Sequence, residues 1–441
     1  MQHDMLYDSL FSKKRRSDCM DFKLKDLGKI KKADIKLDGI TVICGDNNTG
    51  KSTIGKSLFS FYNALYDYKT KISMQKDSRF KNFILSNINS MDVPVRLLDN
   101  DSTMSFITSQ AEDFSVEDVK KYLEENYPIK VTKNKVASLV EYLNLPEKDI
   151  LNEYVFRYFN LVMNGQIKNL NSTGKSSVTA EIKGKSDTIL LNKKSCSCEL
   201  DEPIEHSAYY INNPFVLDWL NLTNVSWFLS ALNPMDRNVI SAIIKAQADI
   251  NEDSMSNILE TVINKKELDE IRKVLKRAYA GDTVISHGKY YYSENGVDFD
   301  FRNISAGLKS FALIERMLET GVLKKKDILI LDEPEIHLHS EWQIIYAELI
   351  VALQKYFDLT ILIVTHSFQF LESLNFFMKK YVISEKGNYY IPKQTEKGVI
   401  IEDNDSNLSD MRKSLKSGMF TLADMQLDEL SSGDSDEEDD E

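Results

Sequence analysis

Between residues 21 and 44 apolar and polar positions alternate, with Phe22, Leu24 and Leu27 followed by Ile35, Leu37, Ile40, Val42 and Ile43. A period of two predicts strands. Over 51–67 the spacing changes, and Ile54, Leu58, Phe61 and Leu65 recur at helical intervals. Val93–Leu98 reads as a further strand, 113–165 as mostly helical, and 174–213 as strand-rich with Ser, Lys and Gly turns around 172–186. Residues 214–280 return to helical spacing. A hairpin-like stretch then runs from Val284 to Phe301 with a turn at Glu294-Asn-Gly296, and 305–321 predicts a helix. After 327 the chain alternates buried strand, helix, strand, helix, strand, the pattern of a parallel sheet. There is no repeat and no sustained heptad, so the long stretch before residue 332 reads as a globular insertion and not a coiled-coil arm.

Three segments of this pattern carry compatible chemistry. Gly45-Asp-Asn47-Asn48-Thr49-Gly50-Lys51-Ser52-Thr53 joins an apolar strand to a helix. Such a loop binds phosphate through backbone N–H groups at a helix N-terminus. Gly45 and Gly50 allow the wrap, Lys51 brings a charge to the β/γ-phosphates, and Ser52 offers a hydroxyl to Mg²⁺. The apolar run Ile328–Leu331 ends in Asp332 and Glu333. A carboxylate at a strand end can hold Mg²⁺, directly or through water, which assigns Asp332 to the metal, and its neighbour Glu333 to orienting or deprotonating the attacking water. A second apolar run, Ile361–Thr365, ends in His366, placed to bond a γ-phosphate oxygen. Together the three imply ATP and Mg²⁺ as cofactors, with Glu333, His366 and Lys51 as catalytic residues.

Two further strings attach to this set. Asn303-Ile-Ser305-Ala-Gly307 opens a helix about 25 residues before Asp332. Across a two-fold dimer, Ser305 and Gly307 would close over a partner's γ-phosphate. Glu335, His337 and His339 could hold a metal only in an extended segment, and read instead as a loop shaping the ATP dimer interface. The basic runs Lys13–Arg16 and Lys29–Lys32 make DNA a candidate partner, although no sequence-reading DNA motif is present.

Composition adds a few limits. At 441 residues the chain exceeds what one small core serves, and 42% hydrophobic with 28% charged is a globular balance. No apolar run reaches the roughly 18 residues that span a bilayer, so no membrane partner is expected. The first residues lack the apolar core of a secretory signal, and Cys19, Cys44, Cys196 and Cys198 form no recognisable disulfide or metal framework. Reduced thiols and a cytoplasmic location are expected. The net charge of −13 comes mostly from ten acids within 424–441, which leaves the rest of the chain near neutral. The segment 430–441 is expected to be disordered.

The strings Asp38–Thr53, Ile330–His339 and Thr365-His366-Ser367 resemble the Walker A, Walker B and switch-histidine segments of ABC-type ATPases of the RecF/SMC and OLD-like AAA group. The resemblance covers 21–70 and 300–385. It makes Ser305-Ala-Gly307 a divergent signature motif that lacks the usual second glycine and glutamine. Asn212 and Asn213 stand where a Q-loop glutamine is sought. It implies an α/β fold: an ABC-ATPase head with a mixed and parallel P-loop core sheet, a helical signature lobe and an inserted α+β region. The implied layout is a basic arm (1–20), the first part of the ATPase core (21–112) and an inserted lobe (113–300). The second part of the core (301–395), an extension (396–429) and the acidic tail (430–441) follow.

Such proteins act as the ATPase half of bacterial anti-phage systems such as Septu, so the resemblance implies an ATP-linked homodimer or higher oligomer controlling a separate nuclease or toxin. The stretch after His366 is short for an OLD-type nuclease domain, and three of the six histidines already sit in the ATPase motifs. The alternative is a RecF/SMC-like ATPase in DNA repair or genome maintenance. A transporter subunit fits the large insertion poorly, and a non-catalytic clamp fits poorly with an intact Asp332-Glu333 pair.

Overall fold

The alternation at the start of the chain becomes three strands: β1 Met20–Leu27, β2 Ile30–Leu37 and β3 Ile40–Cys44. Their burial differs in kind. β1 and β2 bury mainly alternate residues, whereas all five residues of β3 are buried. One-sided burial suits an antiparallel sheet, and two-sided burial suits a parallel sheet covered on both faces. The computed structural model describes residues 20–88, 100–109, 113–169, 174–201, 203–221, 225–251, 255–286, 289–401, 409–412 and 415. The basic run Lys13–Arg16, the strand expected over Val93–Leu98 and the acidic tail lie outside the described residues.

Helix Lys51–Leu65 follows β3 directly. Helices Tyr68–Asn87, Asn100–Ser109, Val116–Asn126 and Lys133–Leu143 then build a helical lobe with its own core of Phe80, Ile84, Phe114, Val119, Leu123, Val136 and Leu143. Helix Glu147–Val162 leads back to β4 Ser176–Ile182, β5 Lys185–Leu191, β6 Cys196–Glu199 and β7 Ala208–Ile211. Helices Pro234–Asn251 and Met255–Ala278 precede β8 Asp282–Ser286, β9 Lys289–Glu294 and β10 Val297–Asp300. Next come helix Ala306–Glu319, β11 Ile328–Asp332, helix Ser340–Phe357, β12 Thr360–Thr365 and helix Phe368–Lys380. β13 Gly387–Tyr390, β14 Lys393–Thr395 and β15 Gly398–Ile401 are the last strands described.

Among the described residues these strands form three sheets. β13-β3-β12-β11-β7 is parallel throughout. β14-β15-β2-β1-β4-β5-β6 is antiparallel except where β15 joins β2. The stretch between the phosphate loop and Asp332 thus feeds both sheets: β4–β6 extend the antiparallel one and β7 borders the parallel one. The third sheet, β10-β9-β8, widens the expected hairpin to three strands. Its turn has Asn295 at φ 52° and Gly296 at φ 77°, the paired left-handed geometry that suits Asn-Gly. The third strand was not legible as such; it packs beside β9, whose Tyr290 and Tyr292 are buried in the helical core.

Alternation along the parallel strands divides side chains between two cores. Ile40, Val42, Leu329, Leu331, Ile361 and Ile363 meet the helices of the second half. Ile43, Ile328, Ile330 and Leu362 meet helix Lys51–Leu65 and the antiparallel sheet. That helix is therefore clamped between two sheets. Phe61 packs edge-on to Phe22 of β1 at 6.1 Å, and Phe59 packs edge-on to Tyr210 of β7 at 6.1 Å. No helix among the described residues is long and apolar enough to cross a membrane.

Helix Ala306–Glu319 is buried along most of its length, including Glu315, which is 3% exposed. Burial, with the neighbouring Glu319 charge, raises the Glu315 carboxyl from its usual range to about 7. The folded chain then holds a proton that the unfolded chain releases above about 4.5. Stability from this group is complete below the unfolded value and is lost as pH rises through 7. Glu315→Gln removes the titration. It is expected to raise the urea midpoint at pH 8 relative to pH 5, by the equivalent of on the order of 2 kcal/mol. An equal shift at both pH values would show that Glu315 ionises as it does in water.

Candidate functional site

Parallel register brings three strand ends to one edge of the central sheet. Cys44, the last residue of β3, lies opposite Thr365 at the end of β12, and Asp332 at the end of β11 lies opposite Val364. The C-terminal edge of a parallel sheet is where ligand-facing loops gather. The phosphate-loop, Asp332 and His366 segments, far apart in sequence, become neighbours through this pairing alone.

The loop from Gly45 to Gly50 turns tightly into the helix that starts at Lys51. Asn48 has φ 66° and Gly50 φ 80°. A Cβ on Gly50 would stand 2.9 Å from Ile30 Cδ1, so the approach of β2 as well as the backbone angle selects glycine. Thr49 Oγ1 donates to Asp46 O at 2.8 Å, and Thr53 N donates to Gly50 O at 3.0 Å. Asn47 and Asn48 are exposed, while Thr49, Ser52 and Thr53 are half-buried. Lys51 is buried, and its Nζ donates to Gly45 O at 2.8 Å and Asp46 O at 2.6 Å. Burial holds the Lys51 ammonium below its usual pKa, against the attraction of Glu333.

Ser52 Oγ donates to Asp332 Oδ1 at 3.2 Å, and the Tyr210 hydroxyl donates to Asp332 Oδ2. Burial raises the Asp332 carboxyl, and these two donors oppose the rise. The pair offers hard oxygen donors beside a phosphate-binding loop, a set that fits Mg²⁺ and not a soft metal. Cys44, nearby, is a buried thiol pushed up to about 12, mainly by burial, and is inert as a nucleophile at neutral pH.

Glu333 has φ 53°, a left-handed conformation that costs a non-glycine residue on the order of 1–2 kcal/mol. Its N–H donates to Val364 O at 2.8 Å, which fixes the turn. Its Oε1 stands 3.5 Å from His366 Nδ1, and Glu335 Oε1 stands 3.8 Å from the same nitrogen. Glu335 is buried, and burial raises its carboxyl above the usual range. It accepts hydrogen bonds from Thr365 Oγ1 at 2.5 Å and His366 N at 3.2 Å. Thr365 Oγ1 in turn accepts from Ser367 N at 3.0 Å. Glu335 is thus the peg on which the histidine turn hangs.

Several sequence candidates lie elsewhere. Ser305 caps helix Ala306–Glu319, accepting from Leu308 N at 3.3 Å, and is exposed. Gly307 is buried; a Cβ there would come within 2.8 Å of the Trp342 ring and 3.0 Å of His337 O. His337 packs edge-on to Phe215 at 5.5 Å, and His339 lies over Trp342 at 5.1 Å. Among the described residues no group of three or more His, Cys, Asp or Glu side chains could hold a metal ion. Asn213 Oδ1 accepts from Phe215 N at 3.0 Å as a cap, and Asn212 is exposed. Lys29, read as a DNA-facing base, donates to Asn48 O at 3.4 Å and to Asn48 Oδ1, while Lys31 pairs with Asp26 at 2.6 Å.

Sequence reading passed over Tyr210, gave Glu335 to a loop shaping the dimer interface and gave Lys29 to DNA; the structure sets all three beside the phosphate-loop edge. A tyrosine inside an otherwise apolar strand carried a usable signal, since a buried hydroxyl needs a partner.

Fold and site define a phosphate-loop α/β protein. The family model described as "AAA ATPase domain" matches residues 20–371, and the chain belongs to this family. Membership implies ATP as the nucleotide, typically with Mg²⁺, and its hydrolysis. None of the curated proteins matches the chain. Among solved structures, the SMC head domain from Thermotoga maritima is similar, with 10% identity, 88% of this chain and 98% of that one covered, and a TM-score of 0.37. An Smc head domain with an extended coiled coil, bound to the C-terminal domain of ScpA and derived from Pyrococcus furiosus, is similar at 9% identity. It covers 92% of this chain and 98% of its own, with a TM-score of 0.41.

The Thr365 hydroxyl serves a buried carboxylate and a backbone N–H at once. Thr365→Val keeps the shape, takes the acceptor away from Ser367 N and leaves the Glu335 carboxylate with the His366 N–H as its remaining donor. Hydrogen bonds to charged groups contribute about 1.5–3 kcal/mol, so a urea midpoint lowered by at least that equivalent is expected. An unchanged midpoint would mean that the histidine turn is held without the Thr365 hydroxyl.

Proposed function

We propose that this chain is an ATPase that closes into an ATP-linked dimer and controls a separate effector, a nuclease or toxin, in bacterial anti-phage defence. The observation that carries the ATPase part is the meeting of the phosphate loop, the Ser52–Asp332 pair and the Glu333–His366 pair on one sheet edge. The resemblance of Ile330–His339 and Thr365–Ser367 to the ATPase half of such defence systems supports the biological part.

In this reading the backbone N–H groups of Asn47, Asn48, Thr49, Gly50 and Lys51 hold the β- and γ-phosphates. The Lys51 ammonium exchanges the Gly45 and Asp46 carbonyls for phosphate oxygens. Ser52 and Thr53 follow Lys51 in the first turn of the helix, and Ser52 and Asp332 would hold Mg²⁺. When bound, Mg²⁺ neutralises charge on the phosphate oxygens. Glu333, poised on its strained turn, takes the proton of the attacking water. His366 bonds a γ-phosphate oxygen and keeps its orientation through Glu335.

Ser305 and Gly307 act in trans. Exposure of Ser305 at the start of a long helix leaves backbone donors for the γ-phosphate bound by a second copy. ATP then joins two chains, and hydrolysis releases them. The effector reads this cycle.

Glu333→Gln is expected to lower turnover by about 10²–10⁴ while ATP binding persists. Light scattering should then find the variant accumulating as a dimer in ATP. Turnover at the wild-type rate removes Glu333 as the base. The partner is tested by purifying the protein expressed from its own locus with neighbouring genes intact, followed by mass spectrometry. A stoichiometric nuclease or toxin is the expected companion. Recovery with repair factors and DNA alone would move the assignment to genome maintenance of the RecF/SMC kind.

A further inference from the structure

We infer that Tyr210 is a positioning residue that fixes which oxygen of Asp332 is offered to the cation, and that it thereby sets a preference for Mg²⁺ over Ca²⁺. The inference rests on the nucleotide-site reading above. It concerns a residue of β7 that belongs to none of the sequence motifs.

Tyr210 lies opposite Ile330 in the parallel pairing of β7 with β11, two positions before Asp332. Alternation therefore puts its side chain on the same face of the sheet as Asp332. The residue is 1% exposed. Its ring has little room to turn. Phe59 packs edge-on at 6.1 Å, and helix Lys51–Leu65 comes so close that a Cβ on Gly55 would stand 3.0 Å from Tyr210 Cε2. A buried ring held in this way brings its hydroxyl to Asp332 Oδ2, with the Ser52 hydroxyl also beside it. The other oxygen, Oδ1, is the one that faces Ser52 Oγ at 3.2 Å.

The consequence is chemical. A carboxylate with one oxygen held by a fixed donor presents a single oxygen to a metal. Mg²⁺ accepts this, because it takes few protein ligands and keeps much of its water in a strict octahedral shell. Ca²⁺ takes six to eight oxygens and often both oxygens of a carboxylate. Holding Oδ2 removes that mode of binding. The hydroxyl does more than satisfy its own hydrogen-bonding need, since it restricts Asp332 to one binding geometry.

Tyr209 supplies the control. It is the adjacent residue on the same strand, also buried, and its hydroxyl donates to Val322 O at 3.1 Å on the other side of the sheet. Tyr209→Phe and Tyr210→Phe each delete one buried hydroxyl, but only the second deletion touches Asp332.

The experiment titrates Mg²⁺, and separately Ca²⁺, into wild type and both variants in the presence of a non-hydrolysable ATP analogue. Nucleotide retention is read by calorimetry, and melting temperatures are recorded alongside. For Tyr210→Phe the Mg²⁺ midpoint is expected to rise about 10-fold or more, the usual effect of removing a partner of a metal ligand. The ratio of Ca²⁺ to Mg²⁺ midpoints should narrow in the same variant. Tyr209→Phe should keep the wild-type values of both. A folded Tyr210→Phe with the wild-type midpoint and ratio overturns the inference, and so does an equal shift in Tyr209→Phe. Wild type that retains no nucleotide with either ion overturns the nucleotide site itself, a result distinct from the failure of Tyr210 alone.

Discussion

Parallel pairing of β3, β12 and β11 is the constraint on which the rest of the molecule depends. Only that register places Cys44 beside Thr365 and Asp332 beside Val364, so that the loops after all three strands leave from the same edge. The register is specified by burial. Each of these strands sends alternate apolar side chains into two different cores, and a one-residue slip would exchange them. The site is therefore a by-product of the same hydrophobic pattern that forms the sheet. Its geometry is as stable as the packing of helix Lys51–Leu65 on one face and of the second-half helices on the other.

Electrostatics at this edge work against the packing. Asp332, Glu333 and Glu335 crowd close to Lys51 and His366, and burial raises the carboxyls of both Asp332 and Glu335. Each buried acid is made tolerable by donors from a different strand or helix. Asp332 takes Ser52 and Tyr210, while Glu335 takes Thr365 and the backbone of His366. Donors drawn from separate elements also tie those elements together, so the cost of burying charge is returned as a fixed alignment.

Much of this was readable from residue order. The period-two runs of 20–44, the helix after Lys51 and the strand–helix alternation after 327 carry strong patterns, because burial on one or two faces leaves a periodic trace. The phosphate loop and the Asp332-Glu333 pair were readable because their chemistry demands particular residue types at fixed spacing. What was not readable is pairing at long range. Nothing in β4–β6 marks them as partners of β1 in preference to a lobe of their own. β15 is a four-residue segment whose place beside β2 is decided by tertiary packing. Tyr210 escaped for the same reason, as did the particular partners of Glu335 and Lys29. Each acts on a residue distant in sequence, and only the fold says which one.

The arrangement of helix Ala306–Glu319 completes the argument from packing to function. Twelve of its residues, Gly307 through Leu318, are buried, and only glycine fits at 307 because Trp342 and the carbonyl of His337 leave no room for a side chain. The body of the helix is thus fixed to the loop that follows Glu333. Buried Lys309, paired with Asp218 at 2.7 Å and lying 4.6 Å above the Phe215 ring, fixes it also to the segment that follows β7. Its N-cap, Ser305, nevertheless faces solvent. These contacts at Gly307 and Lys309 join the start of the helix to the loop after Glu333 and to the segment after β7.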